Sequence, residues 1–122
     1  MDYIYHFEKL EVYQLARQLT VKVYQLLKKF PPEERFALCN QLQRSAISVP
    51  SNIAEGIERI AAKETTHFLG IAYGSLMELY CQLQLSVDLG YISEEDFNQI
   101  RPLFFTTSKL LNGLHKAKQN QS

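Results

Sequence analysis

The residues of this chain best suited to metal chemistry are a glutamate and a histidine three positions apart, Glu64 and His67. Di-iron helical bundles use a Glu-x-x-His pair of this kind to place two ligands on one helix face. Such a centre needs two pairs and two further inward glutamates, and this sequence contains one pair. The other histidines, His6 and His115, have no carboxylate three residues away. We therefore predict no metal site, and we expect Glu64 and His67 to lie on the surface near a helix start.

The serines do not form a recognisable nucleophilic site. A nucleophilic serine needs a base beside it, and no histidine lies close to Ser48, Ser51 or Ser75 in the sequence. A phosphate loop is also missing, because Gly70 and Gly74 lie inside a helical pattern and no Gly-Lys-Ser or Gly-Lys-Thr follows them. The sequence therefore predicts no catalytic residue and no cofactor, and the serines are expected to be small packing residues.

Small residues form two patches on neighbouring helical segments. Gly70, Gly74 and Ser75 make one patch, and the other follows a flank of the preceding helix through Ser45, Val49, Asn52 and Gly56. Small side chains allow two backbones to approach closely, so tight helix–helix packing is the favoured interpretation. A groove for a ligand is the alternative.

The stretch from Gln41 to Gly56 has a helical pattern but contains residues that a helix interior disfavours. Proline costs about 3 kcal/mol there and glycine about 1 kcal/mol relative to alanine, yet this stretch includes both. On a helical wheel a compact polar face spans roughly 80° opposite the apolar stripe; its members are Arg44, Ser48, Ser51, Glu55 and Arg59. Two interpretations remain open: a solvated face, or a head-to-tail contact between identical subunits that uses the charges of Arg44 and Glu55.

Apolar residues recur at spacings of three and four in four segments, which predicts four amphipathic helices. The first runs from Glu8 to Lys29 and is stopped by the prolines that follow. The third runs from Lys63 to Leu89 and ends at Gly90, which caps it. The fourth begins at Ser93 as its N-cap, and Pro102 is expected to kink it or to separate its first turns.

The second helix is predicted to be long and kinked. It starts near Pro32 or Glu33, and its apolar stripe keeps its phase through Pro50 as far as Ile60. Ser48 or a water molecule is expected to satisfy the carbonyl that Pro50 leaves free.

Four helices of matched length joined by short connections predict an all-α fold, an antiparallel up-down-up-down four-helix bundle. A chain of 122 residues is the size of one domain, so residues 1–122 are expected to form a single unit. Residues 1–7 form an aromatic arm that is either ordered or frayed, and residues 119–122 form a polar tail.

Composition counts against a free-standing nucleic-acid binder. Thirteen Lys and Arg residues balance thirteen Asp and Glu residues, and the pI is near 6.8, whereas phosphate binding usually needs a basic surplus. Positive charge does collect at the C-terminal end, because no acid follows Asp96. The candidate nucleic-acid contacts are Arg17, Lys22, Arg44, Lys109, Lys116 and Lys118.

Cysteines and hydropathy point to a cytoplasmic location. Cys39 and Cys81 lie far apart in helical patterns and are expected to be buried, reduced thiols. The N-terminus has no basic segment followed by an apolar one, and no apolar run approaches the ~20 residues of a membrane span. We therefore expect no signal peptide and no membrane association.

Several runs together resemble the 23S ribosomal RNA intervening-sequence proteins, also called four helix bundle proteins. The most specific run is Ser-Val-Pro-Ser-Asn-Ile-Ala-Glu-Gly at 48–56, and others occupy 7–16, 41–44, 68–76 and 89–91. The resemblance implies a bundle that assembles as a barrel-like homopentamer and has no enzymatic activity. It also implies an assembly motif, which here comprises Arg44, Ser48, Pro50, Ser51, Asn52, Glu55, Gly56, Gly70 and Gly74.

The same family is similar to the accessory variability protein of diversity-generating retroelements, which implies nucleic acid and a reverse transcriptase as partners. The chain departs from the family pattern in its charges. Gln43-Arg44 stands where the family often has two arginines, and Gly70 and Tyr73 stand where basic residues are frequent. We therefore expect a homo-oligomeric adaptor that is not an enzyme, with a nucleic-acid-binding accessory factor as the alternative.

Overall fold

The computed structural model describes residues 3–121, and every regular element in that range is helical. Short 3-10 turns at His6–Lys9 and Pro32–Glu34 accompany four α-helices. These are α1 (Glu11–Leu27), α2 (Leu38–Ile57), α3 (Ala62–Asp88) and α4 (Glu94–Gln119). The predicted all-α fold with four helices is confirmed for the described residues.

The four helices enclose one apolar core. Each contributes a stripe at spacings of three and four, because those positions share one face of a helix; fully buried members include Leu19, Leu42, Ile53, Leu69, Leu76, Leu83 and Leu111. α1 packs on α2 and α4, and α3 packs on the same two helices. Within residues 3–121 no close backbone contact joins α1 to α3, so these two helices are diagonal partners.

The start of α4 shows how the sequence fixes a helix end. Ser93 accepts a hydrogen bond from the backbone N–H of Asp96 at 3.0 Å, and the carboxylate of Asp96 accepts one from the N–H of Ser93 at 3.1 Å. The two bonds form a capping box, which confirms Ser93 as the N-cap. At the end of α3, Gly90 has φ +79°, a conformation that suits glycine, so the predicted cap is confirmed.

Three predicted helix boundaries are wrong, one at the start of α1 and two at the α1–α2 connection. α1 occupies Glu11–Leu27 and not Glu8 to Lys29, and α2 begins at Leu38 and not near Pro32. The segment after Pro31 forms only a 3-10 turn, and Ala37 has φ −122° and ψ −102°, which no helix continues through.

Three further expectations about α2 and α4 need comment. α2 ends at Ile57, and Ile60 is fully exposed in the following loop, so it does not extend the core stripe. α4 is continuous through Pro102, so its first turns are not a separate helix. The predicted polar tail overlaps α4, whose last residue is Gln119. Residues 1, 2 and 122, which belong to the predicted arm and tail, lie outside the described range.

Candidate assembly surface

Hydrogen bonds between side chains join α2 to α3 along a polar seam. The buried hydroxyl of Ser45 lies 2.9 Å from Oε1 of Gln82 and 3.2 Å from Oε1 of Glu78. It also lies 3.0 Å from the backbone oxygen of Gln41 one turn earlier. Ser45 therefore does more than leave room for a neighbouring helix, because it also satisfies polar groups of α3.

Ser48 belongs to this seam and not to the outward polar face that the helical wheel predicted. Its Oγ lies 2.7 Å from Oγ of Ser75, and Nδ2 of Asn52 donates to the same oxygen at 2.9 Å. The amide of Asn52 also donates to the backbone oxygen of Ser48 at 2.8 Å. The wheel misplaced Ser48 because α3 packs far enough round α2 to cover that side of it.

Gly56 marks the closest approach of α2 and α3. A Cβ built on this glycine would lie 2.8 Å from Cβ of Phe68 and 3.3 Å from the backbone oxygen of Thr65. No larger side chain fits without a backbone shift. The prediction that small residues serve tight helix–helix packing is therefore confirmed at Gly56.

Pro50 lies inside α2, and its lost hydrogen bond is replaced from α1. A proline cannot donate to the carbonyl four residues earlier, which here belongs to the buried Ala46. Oγ1 of Thr20 lies 3.1 Å from that carbonyl oxygen and 2.9 Å from the oxygen of Ala16. Of the two expected donors, Ser48 is wrong, because its hydroxyl is directed to the seam with α3, and the water molecule stays a prediction.

The outward face of α2 retains Arg44, Ser51 and Glu55, which are all exposed. Oε2 of Glu55 lies 2.6 Å from the guanidinium of Arg59, whose Cζ stands 4.7 Å from the ring centroid of Phe68. The negative charge predicted for a subunit contact is therefore paired within its own chain. Arg44 has no such partner on this face and borders the groove beside the seam.

That groove has a volume of about 600 Å³ and runs between α2 and α3. Its lining is polar, and it includes the side chains of Ser48, Ser75 and Glu78. Among residues 3–121, every buried side-chain nitrogen or oxygen has a hydrogen-bond partner. The buried polar atoms beside the groove are therefore satisfied by groups of the chain itself.

The predicted chemistry-bearing pair lies away from the seam. Glu64 and His67 are both exposed near the start of α3, and the ring of His67 packs on Phe68 at 5.5 Å between centroids. Within the described range, no three His, Cys, Asp or Glu side chains stand together in a way that suits a metal ion.

The outer side of α3 is apolar, and its apolar side chains remain exposed within the described bundle. Met77 and Leu85 are 39% and 48% exposed, and Cys81 lies between them as an exposed free thiol. The prediction that both cysteines are buried is therefore wrong for Cys81 and right for Cys39, whose thiol pKa is raised by burial and then by Glu34. We call the surface formed by Gly70, Ile71, Gly74, Met77, Cys81 and Leu85 the outer α3 face.

The glycines of the outer α3 face have no packing role within the chain. A Cβ added to Gly74 would meet nothing within 4 Å, and one added to Gly70 would meet only Nε2 of His115 at 3.9 Å, an ordinary contact. Close packing inside the bundle is therefore the wrong explanation for Gly74. The chain therefore has two helix-weakening glycines at positions that no close contact within the described residues explains.

The predicted nucleic-acid contacts are distributed over three helices. Arg17 and Lys22 are exposed on α1, and the guanidinium of Arg17 stands 5.7 Å from the ring centroid of Tyr13. Lys109 and Lys116 are exposed on α4, whereas Lys118 near its end is partly buried. Since Arg44 lies on α2, the structure does not gather the six cations on a single element.

Comparison with known proteins identifies the family. The model of the 23S rRNA-intervening sequence protein family matches residues 8–113. The chain belongs to this family. The matched range includes α1, α2 and α3 in full and most of α4, so it covers both the seam and the outer α3 face.

A solved structure supports the family fold. The chain is similar to a protein of unknown function from the S23 ribosomal protein family of Bacteroides thetaiotaomicron, with 25% sequence identity and a TM-score of 0.78. The match covers 86% of this chain and 98% of that protein. No curated protein matches this family member. None of the described helices is long and apolar enough to span a membrane.

Sequence reasoning missed two sets of residues in this family member. The partners of the seam on α3, Ser75, Glu78 and Gln82, are polar residues whose role depends on the facing helix, so no sequence signal identifies them. The apolar residues of the outer α3 face follow a second spacing of three and four. Two apolar stripes on one helix would have indicated a helix covered on both sides.

Proposed function

We propose that this family member is a non-enzymatic adaptor that assembles as a homopentamer. The outer α3 face carries the proposal. An apolar surface of this kind on a soluble bundle marks an interaction site, and its two glycines allow a second backbone to approach closely. The family resemblance to barrel-like pentamers supports five as the number of subunits.

The proposed subunit is an antiparallel up-down-up-down bundle in which α2 is kinked at Pro50. Contacts along the seam support the antiparallel order of α2 and α3. Residues 45, 48 and 56 of α2 meet residues 82, 75 and 68 of α3 respectively, so numbers rise along one helix as they fall along the other. Short connections between the remaining helices favour the same arrangement, and a proline inside a helix is the usual cause of a kink.

The mass of the protein in solution tests this proposal. Light scattering coupled to size-exclusion chromatography should give about five times the subunit mass of 14.1 kDa across a range of micromolar concentrations. A single species of subunit mass throughout that range would overturn the proposal. A closed oligomer with another number of subunits would contradict the pentamer and leave the proposed self-assembly intact.

A second candidate function is that of an accessory factor that binds nucleic acid and acts with a reverse transcriptase. The charges of α1 favour it, because Arg17 and Lys22 and the following Lys28 and Lys29 have no acid among them after Glu11. α4 packs beside α1 and supplies three lysines near its end. The resemblance to the accessory variability protein of diversity-generating retroelements supports the same role.

Binding to single- and double-stranded RNA and DNA across a salt series tests the second candidate. Phosphate contacts release counterions, so the affinity must fall as salt rises. Lys109→Gln and Lys116→Gln should each weaken the binding, whereas Gln84→Glu on α3 lowers the net charge by the same one unit away from these lysines and serves as the control. Absence of any complex at low salt would reject the nucleic-acid role.

A further inference from the structure

Charge is segregated between the two diagonal helices of the bundle. No lysine or arginine occurs from position 64 to position 100, and α3 carries three carboxylates, Glu64, Glu78 and Asp88. On α1 the balance is reversed, because Glu11 is its only acid and Arg17 and Lys22 follow. One side of the bundle is therefore apolar with carboxylates, and the diagonal helix presents cations.

The basic side also offers apolar surface. Val21 of α1 is 57% exposed, and Ile47, on the adjoining side of α2, is 46% exposed. Amide side chains at Gln14, Gln18 and Gln25 are also exposed on α1. We call the surface formed by Gln14, Arg17, Gln18, Val21, Lys22 and Gln25 the outer α1 face.

These two faces belong to helices that do not touch, since α1 and α3 are diagonal within the described bundle. A subunit that covers its neighbour's α3 with its own α1 therefore leaves its own α3 open for another copy. Such a head-to-tail contact repeats around an axis and closes into a ring when the rotation allows. Glu78 and the cations of α1 attract each other across this contact.

A two-fold contact between two α3 helices would be less favourable. It would place the carboxylates of Glu78 and Asp88 on both sides of one interface, without a cation from either α3 between Gly70 and Leu85. Like charges brought together in this way oppose association. The charge pattern therefore selects the head-to-tail contact over the symmetric one.

We propose that the outer α3 face of each subunit binds the outer α1 face of the next copy of the chain. This inference rests on the proposed self-assembly and specifies the surfaces that meet. Arg17 and Lys22 then lie at the contact between subunits. Any nucleic acid would have to bind elsewhere on the assembly, with the lysines of α4 as the remaining cations.

Disulfide trapping tests the contact directly, because Cys81 already lies in the outer α3 face. The parent protein carries Cys39→Ala, which leaves Cys81 as its one thiol. Single cysteines are then added on α1 as Gln14→Cys, Gln18→Cys, Val21→Cys and Gln25→Cys. A disulfide requires Cα atoms within about 7 Å, so four positions over three turns sample the register. Asn112→Cys on the exposed side of α4 is the matched control.

Mild oxidation of at least one α1 variant should give a ladder of linked subunits on a denaturing gel. Each subunit carries one cysteine on each of the two faces, so the number of chains in the largest linked product should equal the number of subunits in the ring. The parent and Asn112→Cys should remain single chains. Each variant is also sized by light scattering before oxidation, and the series is repeated with Cys39 restored to exclude an effect of that substitution.

Two outcomes would overturn the contact and leave self-assembly intact. One is an oligomer in which no α1 cysteine forms a link, and the other is efficient Cys81–Cys81 linkage in the parent, which would indicate a symmetric α3 contact. A parent protein that is a single chain before oxidation would instead overturn the proposed self-assembly together with the contact.

Discussion

At the scale of single residues, two glycines inside helices serve opposite purposes. Gly56 faces Phe68 at a distance that excludes any Cβ, so it is required by the fold of one subunit. Gly74 faces nothing within its own chain, and we attribute it to contact between subunits. The same residue type thus marks two different surfaces, and only the neighbours of each glycine distinguish them.

We expect Gly56→Ala to lower the free energy of unfolding by about 1–3 kcal/mol, because the new methyl group overpacks the contact with Phe68. Gly113→Ala is the matched control, since its methyl group meets nothing within 4 Å and α4 gains up to about 1 kcal/mol in helix propensity. Urea denaturation at one fixed protein concentration measures both. Equal stability of Gly56→Ala and the unmodified protein would contradict the role given to Gly56.

Asp96 should make stability depend on pH. The hydrogen bond from Lys29 at 2.8 Å is the main cause that lowers the pKa of this carboxyl, and the backbone N–H of Ser93 adds to it. A lowered pKa in the folded state means that the stabilisation is complete above the unfolded value of about 3.9. It is lost as the pH falls through the lower folded value.

Unfolding of the Asp96→Asn variant between pH 7 and pH 2 checks this expectation. The free energy of unfolding of the unmodified protein should exceed that of the variant by a constant amount from pH 7 to about pH 5. This difference should then shrink as the carboxylate is protonated. In the Lys29→Gln variant the free energy of unfolding should depend less on pH over this range, because the main cause of the lowered pKa of Asp96 is removed. A difference that stays unchanged down to pH 2 would contradict the account of Asp96.

At the scale of helices, α2 and α1 are joined through a backbone defect. Pro50 leaves the carbonyl of Ala46 without its helical donor, and the hydroxyl of Thr20 on α1, whose one hydrogen is shared with the oxygen of Ala16, lies within hydrogen-bond distance of it. The proline therefore makes the integrity of α2 depend on a neighbouring helix. This dependence explains how a residue that costs about 3 kcal/mol in an ordinary helix interior is accommodated.

A double-mutant cycle between Thr20 and Pro50 tests that link. Thr20→Val should cost about 1–3 kcal/mol of unfolding free energy, because the buried carbonyl of Ala46 is left without a partner. In the Pro50→Ala background the same change should cost less, since the restored N–H donates to Ala46. Thr106→Val on the exposed side of α4 is the control. Identical costs of Thr20→Val in both backgrounds would contradict the proposed exchange of donors.

The helices were largely predictable from the sequence, whereas their lateral contacts were not. Apolar spacing located all four helices, because burial on one face imposes that spacing regardless of what lies opposite. The break at Ala37 was missed, since Glu33 to Leu38 contains no proline or glycine that would mark it, and only the backbone angles of Ala37 show it. Ser48 was misassigned because a wheel drawn from one helix cannot show how far round a neighbour packs.

At the scale of the whole molecule, α3 has apolar residues on two sides. One side joins the core through residues such as Leu69 and Leu76, and the other is the outer α3 face. A helix that is apolar on both sides is typical of the interior of a larger structure. In the proposed assembly, neighbouring copies would supply that interior.

The most direct test of the proposed contact is the mass in solution of a variant with an added cation in the outer α3 face. Met77→Lys should yield a folded single chain at concentrations where the unmodified protein is an oligomer, because the interface would have to bury a positive charge against Arg17 and Lys22 of the next copy. Ile60→Lys is the control, since Ile60 is fully exposed in the α2–α3 loop and should retain the oligomer. Light scattering gives the mass and circular dichroism the helix content. We expect the subunit mass of 14.1 kDa for Met77→Lys with helix content unchanged, and an oligomer of unaltered mass would contradict the proposal.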